Sequence, residues 1–413
     1  MTESAVKRRQ RLSFEHMGLS KKMCKILAGI GYEKPSPVQA GVIPLAMEEY
    51  DVIGQARTGT GKTAAFAIPI IEQLDLSVRK PKPQALILTP TRELAVQVEN
   101  EFRRMSDPKE VSCVCLYGGK PIQGQIKALE RGAHVVVGTP GRVIDHLNRG
   151  TLNIDQLWFV VLDEADRMLD IGFRPDIEKI LKRCPKERQT LMLSATLADP
   201  IRRLAKRYMY NPKVINFSKD SLAGKTIEQF VLRLPESMKY HMLHKLLKRE
   251  KPEQAIVFCR TKLGTARLYR KLDKSGEFGN GIGSLHGDMN QSARDRVMKR
   301  FRTGDLQLLI ATDVVGRGID VTNISHIINY DIPEVCEDYV HRVGRTGRMG
   351  KEGVAYSLVT PYQKVELSKI EEKISMELTV DELQEEIEET WEDFEPRAAT
   401  AGKKSKKRYR NAL

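Results

Sequence analysis

Two short stretches carry side chains suited to working on a phosphate ester. The first, ARTGTGKT at residues 56–63, follows the apolar run DVIGQA and opens the helical-period stretch KTAAFAIPIIEQL. Strand, glycine-rich turn and helix in that order form the context a phosphate-binding loop requires. Gly59 and Gly61 allow φ values closed to other residues, so the N–H groups of a loop through Thr58 and Thr60 can turn toward phosphate oxygens at a helix N-terminus. Lys62 is then expected to reach the β- and γ-phosphates of a nucleotide, and Thr63 to offer its hydroxyl to Mg²⁺. Ala56 stands where the usual pattern has its first glycine. The second stretch, VVLDEADRML at 160–169, ends an apolar run with Asp163, Glu164 and Asp166. So much negative charge at a strand end is costly unless a cation meets it. If both strands lie in one parallel sheet, they end at the same edge, where ligands bind. Asp163 is expected to help Thr63 hold the metal, through water because Mg²⁺ dehydrates reluctantly. Glu164 is the candidate for polarising an attacking water.

Such a site needs a scaffold, and short apolar runs alternate with helical segments along most of the chain, as parallel sheets covered by helices require. Strands are expected at 51–56, 84–90, 111–117, 134–140, 158–164 and 189–196. After a pause around 213–230 they resume at 254–261, 281–288, 306–313, 326–331 and 353–360. The reading is an N-terminal extension (1–13), a first α/β domain (14–215), a linker (216–229), a second α/β domain (230–376), an acidic segment (377–396) and a basic tail (397–413). Residues 377–395 hold ten acids and no Lys or Arg, and 397–413 hold seven Lys and Arg and no acid. A solvated helix and a disordered tail are the expected forms of these two pieces.

At 413 residues two cores are expected, and 41% hydrophobic residues suffices to fill them. The 68 Lys and Arg against 54 Asp and Glu leave a net charge of +14, which favours a polyanionic partner. Six scattered cysteines form no C-x-x-C pair and read as reduced thiols. With no apolar signal core and no run long enough to span a bilayer, a cytoplasmic protein without a membrane partner is the expectation.

The spacing of several further blocks resembles that of the DEAD-box RNA helicases, from about residue 14 to residue 360. GYEKPSPVQ (31–39) is similar to the family's Q motif, and Phe14 matches its isolated upstream aromatic. The resemblance implies that Gln39 reads the adenine edge while Tyr32 or Phe14 packs near the base. A side-chain amide suits adenine because it both donates and accepts. PTRELA (90–95), the Gly118–Gly119 pair and TPGR (139–142) resemble RNA-contacting blocks, which implies Thr91, Arg92, Gly119, Thr139 and Arg142 on the backbone. In the second domain VFCRT, QSARDRVMKRF and ATDVVGRGID imply Thr261, Gln291, Arg294, Thr312 and Gly318 on RNA, with Asp320 near the nucleotide. Gly316 replaces the usual Ala there. SAT (194–196) resembles the block that couples hydrolysis to strand separation, so Ser194 and Thr196 are expected to hydrogen-bond toward Asp166. HRVGRTGR (341–348) implies that His341 links the domains and that Arg345 and Arg348 supply forked donors to the γ-phosphate.

The family fold implied is α/β, with two tandem RecA-like domains, each a mostly parallel sheet covered by helices, and a cleft between them. The function implied is an ATP-dependent RNA helicase that grips the sugar-phosphate backbone, acting as a monomer on RNA or a ribonucleoprotein. Two other readings compete: a non-catalytic ATP-dependent RNA clamp, which Asp163, Glu164, Arg345 and Arg348 argue against, and a DNA-directed translocating ATPase, which the adenine-reading block argues against. Backbone contacts carry no sequence preference, so no RNA target follows from these blocks.

Overall fold

The computed structural model describes residues 13–56, 60–78, 80–107, 110–217, 227–279, 281–313, 324–347 and 352–387. Thr58, Gly59, Gly316, Gly318, Asp320 and Arg348, together with most of the N-terminal extension, the linker and the basic tail, lie outside them.

The first sheet contains β1 (Val52–Gln55), β2 (Ala85–Leu88), β3 (Cys113–Leu116), β4 (Val135–Gly138), β5 (Phe159–Asp163), β6 (Gln189–Ser194) and β7 (Lys213–Asn216). Their spatial order is β3-β4-β2-β5-β6-β1-β7, and every pairing is parallel. The second sheet contains β8 (Ile227–Arg233), β9 (Ala255–Phe258), β10 (Ile282–Leu285), β11 (Leu308–Ala311), β12 (His326–Asn329), β13 (Gly353–Val359) and β14 (Thr379–Val380). Its order is β10-β11-β9-β12-β13-β8-β14, again all parallel. Renumbered from its own first strand, this is the order of the first sheet. No residue-level repeat announces that identity.

Both faces of each sheet are covered. Along β2, Ala85 and Ile87 enter one apolar cluster and Leu86 and Leu88 the opposite one, so the strand is buried throughout. Continuous apolar runs are the signature of such doubly covered strands, which is why the central strands were readable.

Two expectations are corrected. The pause at 213–230 is not irregular throughout: β7 pairs with β1 and β8 pairs with β13. Both are partly exposed, with polar residues at Lys213, Glu228 and Gln229, so neither shows a continuous apolar run. The acidic segment does not begin as a solvated helix. Thr379 and Val380 add β14 beside β8, a 3₁₀ turn follows at Glu382–Glu386, and Leu378 and Ile387 are buried. Asp381 closes a bidentate pair with Arg249 at 2.8 and 2.7 Å. Among the described residues, no helix is long and apolar enough to cross a membrane.

Candidate nucleotide and RNA site

The candidate site is built on the carboxyl ends of β1, β5 and β6. After β1, Gly61 adopts φ 85° and caps the helix Lys62–Gln73. The positive φ demands glycine there, and a Cβ, 2.6 Å from Gln39 Nε2, would also push the Gln39 amide aside. The helix dipole and the free N–H groups of the first turn favour an anion at this place. Lys62 begins the helix and is 6% exposed, and its Nζ has no hydrogen-bond partner among the described residues. Thr63, one residue on, is half-buried.

β5 ends at Asp163, 2% exposed, whose Oδ1 also lacks a partner among the described residues. Burial raises its carboxyl to about 7, against the pull of Lys62 and with repulsion from Glu164 and Asp166 added. Glu164 turns the chain at φ 52°, left-handed backbone that costs a non-glycine residue of order 1–3 kcal/mol. That turn starts the helix Ala165–Asp170 and aims Glu164 into a pocket shared with Lys62, Asp166, Arg167 and Ala195. The opposite wall is His341 and Arg345 of the second domain. Arg345 is 4% exposed and donates through Nε to the His341 carbonyl at 3.1 Å.

Two buried and unsatisfied groups of opposite charge are the chemistry of a site that takes a charged ligand, since such groups are otherwise paired. Oxygen from Asp163 and Thr63 suits Mg²⁺, and the Lys62 ammonium suits phosphate.

Thr196 reaches Asp166 as expected, through its backbone N–H, and Ser194 does not. Asp166 Oδ2 accepts the backbone N–H groups of Ala195 and Thr196 at 3.0 and 2.9 Å, whereas the Ser194 hydroxyl donates to the Thr196 carbonyl at 2.7 Å. The tie between the DEAD and SAT blocks therefore runs through amides rather than through the Ser194 and Thr196 hydroxyls.

Gln39 is 3% exposed and partly occupied: Oε1 accepts the Ser36 N–H at 2.8 Å in a capping box, and Nε2 donates to the Gly61 carbonyl at 3.3 Å. One N–H and one lone pair remain for a base. Phe14 is buried in the core, with Tyr32 edge-on at 6.3 Å between ring centroids.

The expected RNA blocks fall at the ends of the other strands. Thr91 and Thr261 occupy the same place in the two sheets, after β2 and β9. Each caps a helix by accepting the N–H three residues on, from Leu94 at 3.2 Å and from Gly264 at 3.0 Å. Thr139 precedes the helix Pro140–Asn148 with no side-chain cap, and Arg142 donates from both Nη atoms to the Lys120 carbonyl at 3.3 Å. Gly119, at φ 82°, lies against the Arg92 guanidinium so closely that a Cβ would collide with it. Thr312 is buried beyond β11, its N–H bonded to the Leu285 carbonyl at 3.3 Å.

Gln291 and Arg294, expected on RNA, each also reach a partner in the first domain, while Gln291 Nε2 donates to Asp295 Oδ1 at 2.8 Å. Arg92 Nη1 donates to Gln291 Oε1 at 2.9 Å, and Arg294 Nη2 donates to Glu93 Oε1 at 2.5 Å with both partners buried. Lys120 and Asp295 add a more exposed pair at 3.4 Å. Sequence reasoning missed Glu93 and Arg167. Both sit inside blocks already singled out, PTRELA and DEADR, and that adjacency was their signal.

The comparisons with known proteins agree with this geometry. A family model described as DEAD/DEAH box helicase matches residues 36–204, and one described as helicase conserved C-terminal domain matches 238–350. The chain is 47% identical over 359 residues to the DEAD-box ATP-dependent RNA helicase CshA of Geobacillus kaustophilus, covering 87% of this chain and 76% of that protein. It is similar to the structure of S. cerevisiae Dbp5 bound to RNA and ADP BeF3, with a TM-score of 0.82 and 31% identity over 91% of this chain and 97% of that one. A DEAD box protein from the hyperthermophile Methanococcus jannaschii is 41% identical but overlaps at a TM-score of 0.52, over 89% and 99% of the two chains.

Proposed function

The chain belongs to the DEAD-box family of ATP-dependent RNA helicases, and from that premise we propose that its two domains close on ATP and RNA together, so that hydrolysis reopens a grip that has locally separated the strands. The observation that carries this reading is the pair of unsatisfied buried charges, Lys62 and Asp163, in a pocket whose far wall is His341 and Arg345. A nucleotide there would touch both domains at once.

Lys62 binds phosphate, and Asp163 with Thr63 would hold Mg²⁺, which when bound offsets the negative charge of the phosphates. Glu164 orients and polarises water. Arg345, joined by Arg348, donates to the γ-phosphate as charge develops there, a role worth several powers of ten in arginine-finger enzymes. Asp320 belongs to the same nucleotide face. Gln39 uses its remaining donor and acceptor on adenine, and Tyr32, backed by Phe14, flanks the base.

RNA is held along its backbone by Arg92, Gly119, Thr139, Arg142, Thr261, Thr312 and Gly318, with Thr91 setting the helix start beside them. Gln291 and Arg294 act on RNA indirectly, by holding the two halves of the groove in register through Arg92 and Glu93. Support comes from the relatives: greater overlap with the RNA- and ADP BeF3-bound Dbp5 than with a protein of higher identity points to a difference in arrangement rather than in fold. A closed arrangement that binds both ligands better than an open one makes them thermodynamically coupled. The enzyme acts as a monomer on RNA or ribonucleoproteins, and its six unpaired cysteines suit a reducing cytoplasm.

The test is steady-state ATP hydrolysis with no nucleic acid, with single-stranded RNA, and with single-stranded DNA of equal length. Strong stimulation by RNA alone is expected. Equal stimulation by DNA would overturn the RNA assignment, and no hydrolysis at all would leave only a clamp.

A further inference from the structure

Lys239 belongs to none of the blocks above, yet it is 0% exposed. It begins the helix Lys239–Glu250 and lies over the Tyr330 ring, 5.5 Å from its centroid. Its Nζ meets Asp331 Oδ1 at 2.8 Å and Glu236 Oε2 at 3.1 Å. Glu236 is largely exposed, so Asp331 is the partner that offsets the buried charge.

Asp331 is bound on every side. Its Oδ2 accepts the backbone N–H of Arg260 at 3.0 Å, and its own N–H donates to the Phe258 carbonyl at 3.1 Å. Its carbonyl accepts Arg342 Nη1 at 2.6 Å. The Arg342 guanidinium, 1% exposed, also donates to Asn329 Oδ1 at 3.0 Å and grips both oxygens of Asp313 at 2.5 and 2.6 Å. One residue thus joins two functional edges. Through its carboxylate it holds Arg260, the residue before Thr261. Through its carbonyl it holds Arg342, which follows His341 on the helix Cys336–Val343, three residues before Arg345; His341 and Arg345 line the nucleotide pocket.

We propose that Lys239 is a positioning residue for RNA, locking the Asp331 carboxylate so that the Arg260–Thr261 turn stands at a fixed place relative to the Arg342 helix. The physical reason is geometric. Beyond the end of β9 the Arg260 N–H has no strand partner, and it takes the carboxylate instead. A carboxylate with a donor on each oxygen cannot rotate, so the amide it holds cannot drift. Without the ammonium, the carboxylate turns toward other donors and the exposed Thr261 tip loosens, while the nucleotide pocket, held by Arg342 and Asp313, keeps its shape. This inference rests on the reading of the Thr261 block as RNA-facing.

The test compares Lys239→Met, Asp331→Asn, Thr261→Ala and Lys239→Met/Thr261→Ala in the full chain. The readouts are basal ATP turnover, KM for ATP, and the concentration of a single-stranded RNA oligonucleotide that half-maximally stimulates turnover. Lys239→Met is expected to raise that concentration on the order of tenfold, within the range by which non-contacting residues modulate coupling. Basal turnover and KM for ATP should move less than about twofold. The double variant should be no worse than the poorer single variant, because both act on the same turn. A lower melting temperature with an unchanged half-stimulating concentration would reduce Lys239 to a structural role and overturn the proposal, as would losses that multiply in the double variant. If Thr261→Ala has no effect, the RNA reading of that block falls and the proposal with it; if Thr261→Ala weakens stimulation and Lys239→Met does not, only the proposal falls. Should Lys239→Met fail to fold, Asp331→Asn carries the same comparison, since its amide keeps an acceptor for Arg260 but no charge for Lys239.

Discussion

The two sheets have one strand order and opposite electrostatic habits. In the first, the ends of β1 and β5 bury Lys62 and Asp163, and neither Lys62 Nζ nor Asp163 Oδ1 has a hydrogen-bond partner among the described residues. In the second, the end of β12 leads to Asp331, and the buried cations nearby, Lys239 and Arg342, are fully engaged with Asp331 and Asp313. The same scaffold therefore places charge at the same edge, and satisfaction separates the roles. Unpaired buried charge marks where a ligand must come. Paired buried charge holds the elements that meet it.

This contrast can be broken most severely at Glu164, the proposed catalytic carboxylate. Glu164→Gln should lower RNA-stimulated turnover by at least about a hundredfold while leaving ATP-dependent RNA binding intact, because it removes water activation but not the phosphate or backbone contacts. Turnover measured beside filter binding checks it, and parallel loss of both would mean that Glu164 supports binding instead.

The stability contrast comes next. Arg342→Met strands the Asp313 carboxylate and should destabilise the second domain by roughly 3–5 kcal/mol, whereas Lys62→Met removes a buried cation that makes no hydrogen bond among the described residues and should cost less, because Asp163 beside it can take up a proton. Denaturant titrations of the two variants read this directly. Equal losses would erase the distinction between the two sheets.

pH sharpens the same point. Asp163 has its carboxyl raised to about 7 by burial, above its value in the unfolded chain. The folded state then holds a proton that the unfolded state has released, so ionised Asp163 destabilises the ligand-free protein increasingly from about pH 4 to pH 7 and by a constant amount above that. Asp163→Asn should be more stable than the parent by about 4 kcal/mol at pH 8, with the advantage vanishing below about pH 4. Melting curves across that range in the absence of nucleotide and Mg²⁺ test the sign, and a pH-independent difference would contradict it.

The smallest effect is expected at Ser194. Because Asp166 is held by the Ala195 and Thr196 amides, Ser194→Ala should change turnover by less than about threefold, the cost of one hydrogen bond at a rigid turn. A large loss of strand separation at constant turnover would show that the hydroxyl has a role of its own.

The legible part of this molecule was what local chemistry dictates. ARTGTGKT and VVLDEAD could be read as a phosphate loop and a carboxylate strand end because glycine conformation, helix N-termini and buried charge act within a few residues. The central strands were readable because burial on both faces demands unbroken apolar runs. β7, β8 and β14 were not, since strands at or near a sheet edge tolerate polar residues and lose that signature.

Chain order alone also says nothing of contacts between residues about two hundred positions apart. Arg92 with Gln291 and Glu93 with Arg294 read as RNA contacts or helix positions until two separately folded sheets bring them within hydrogen-bond distance. The sequence by itself determined which residues could bind a nucleotide and where the central strands lie. Only the tertiary structure decided which buried charges are paired and which are left for a ligand, because pairing depends on distances between elements that no local pattern encodes.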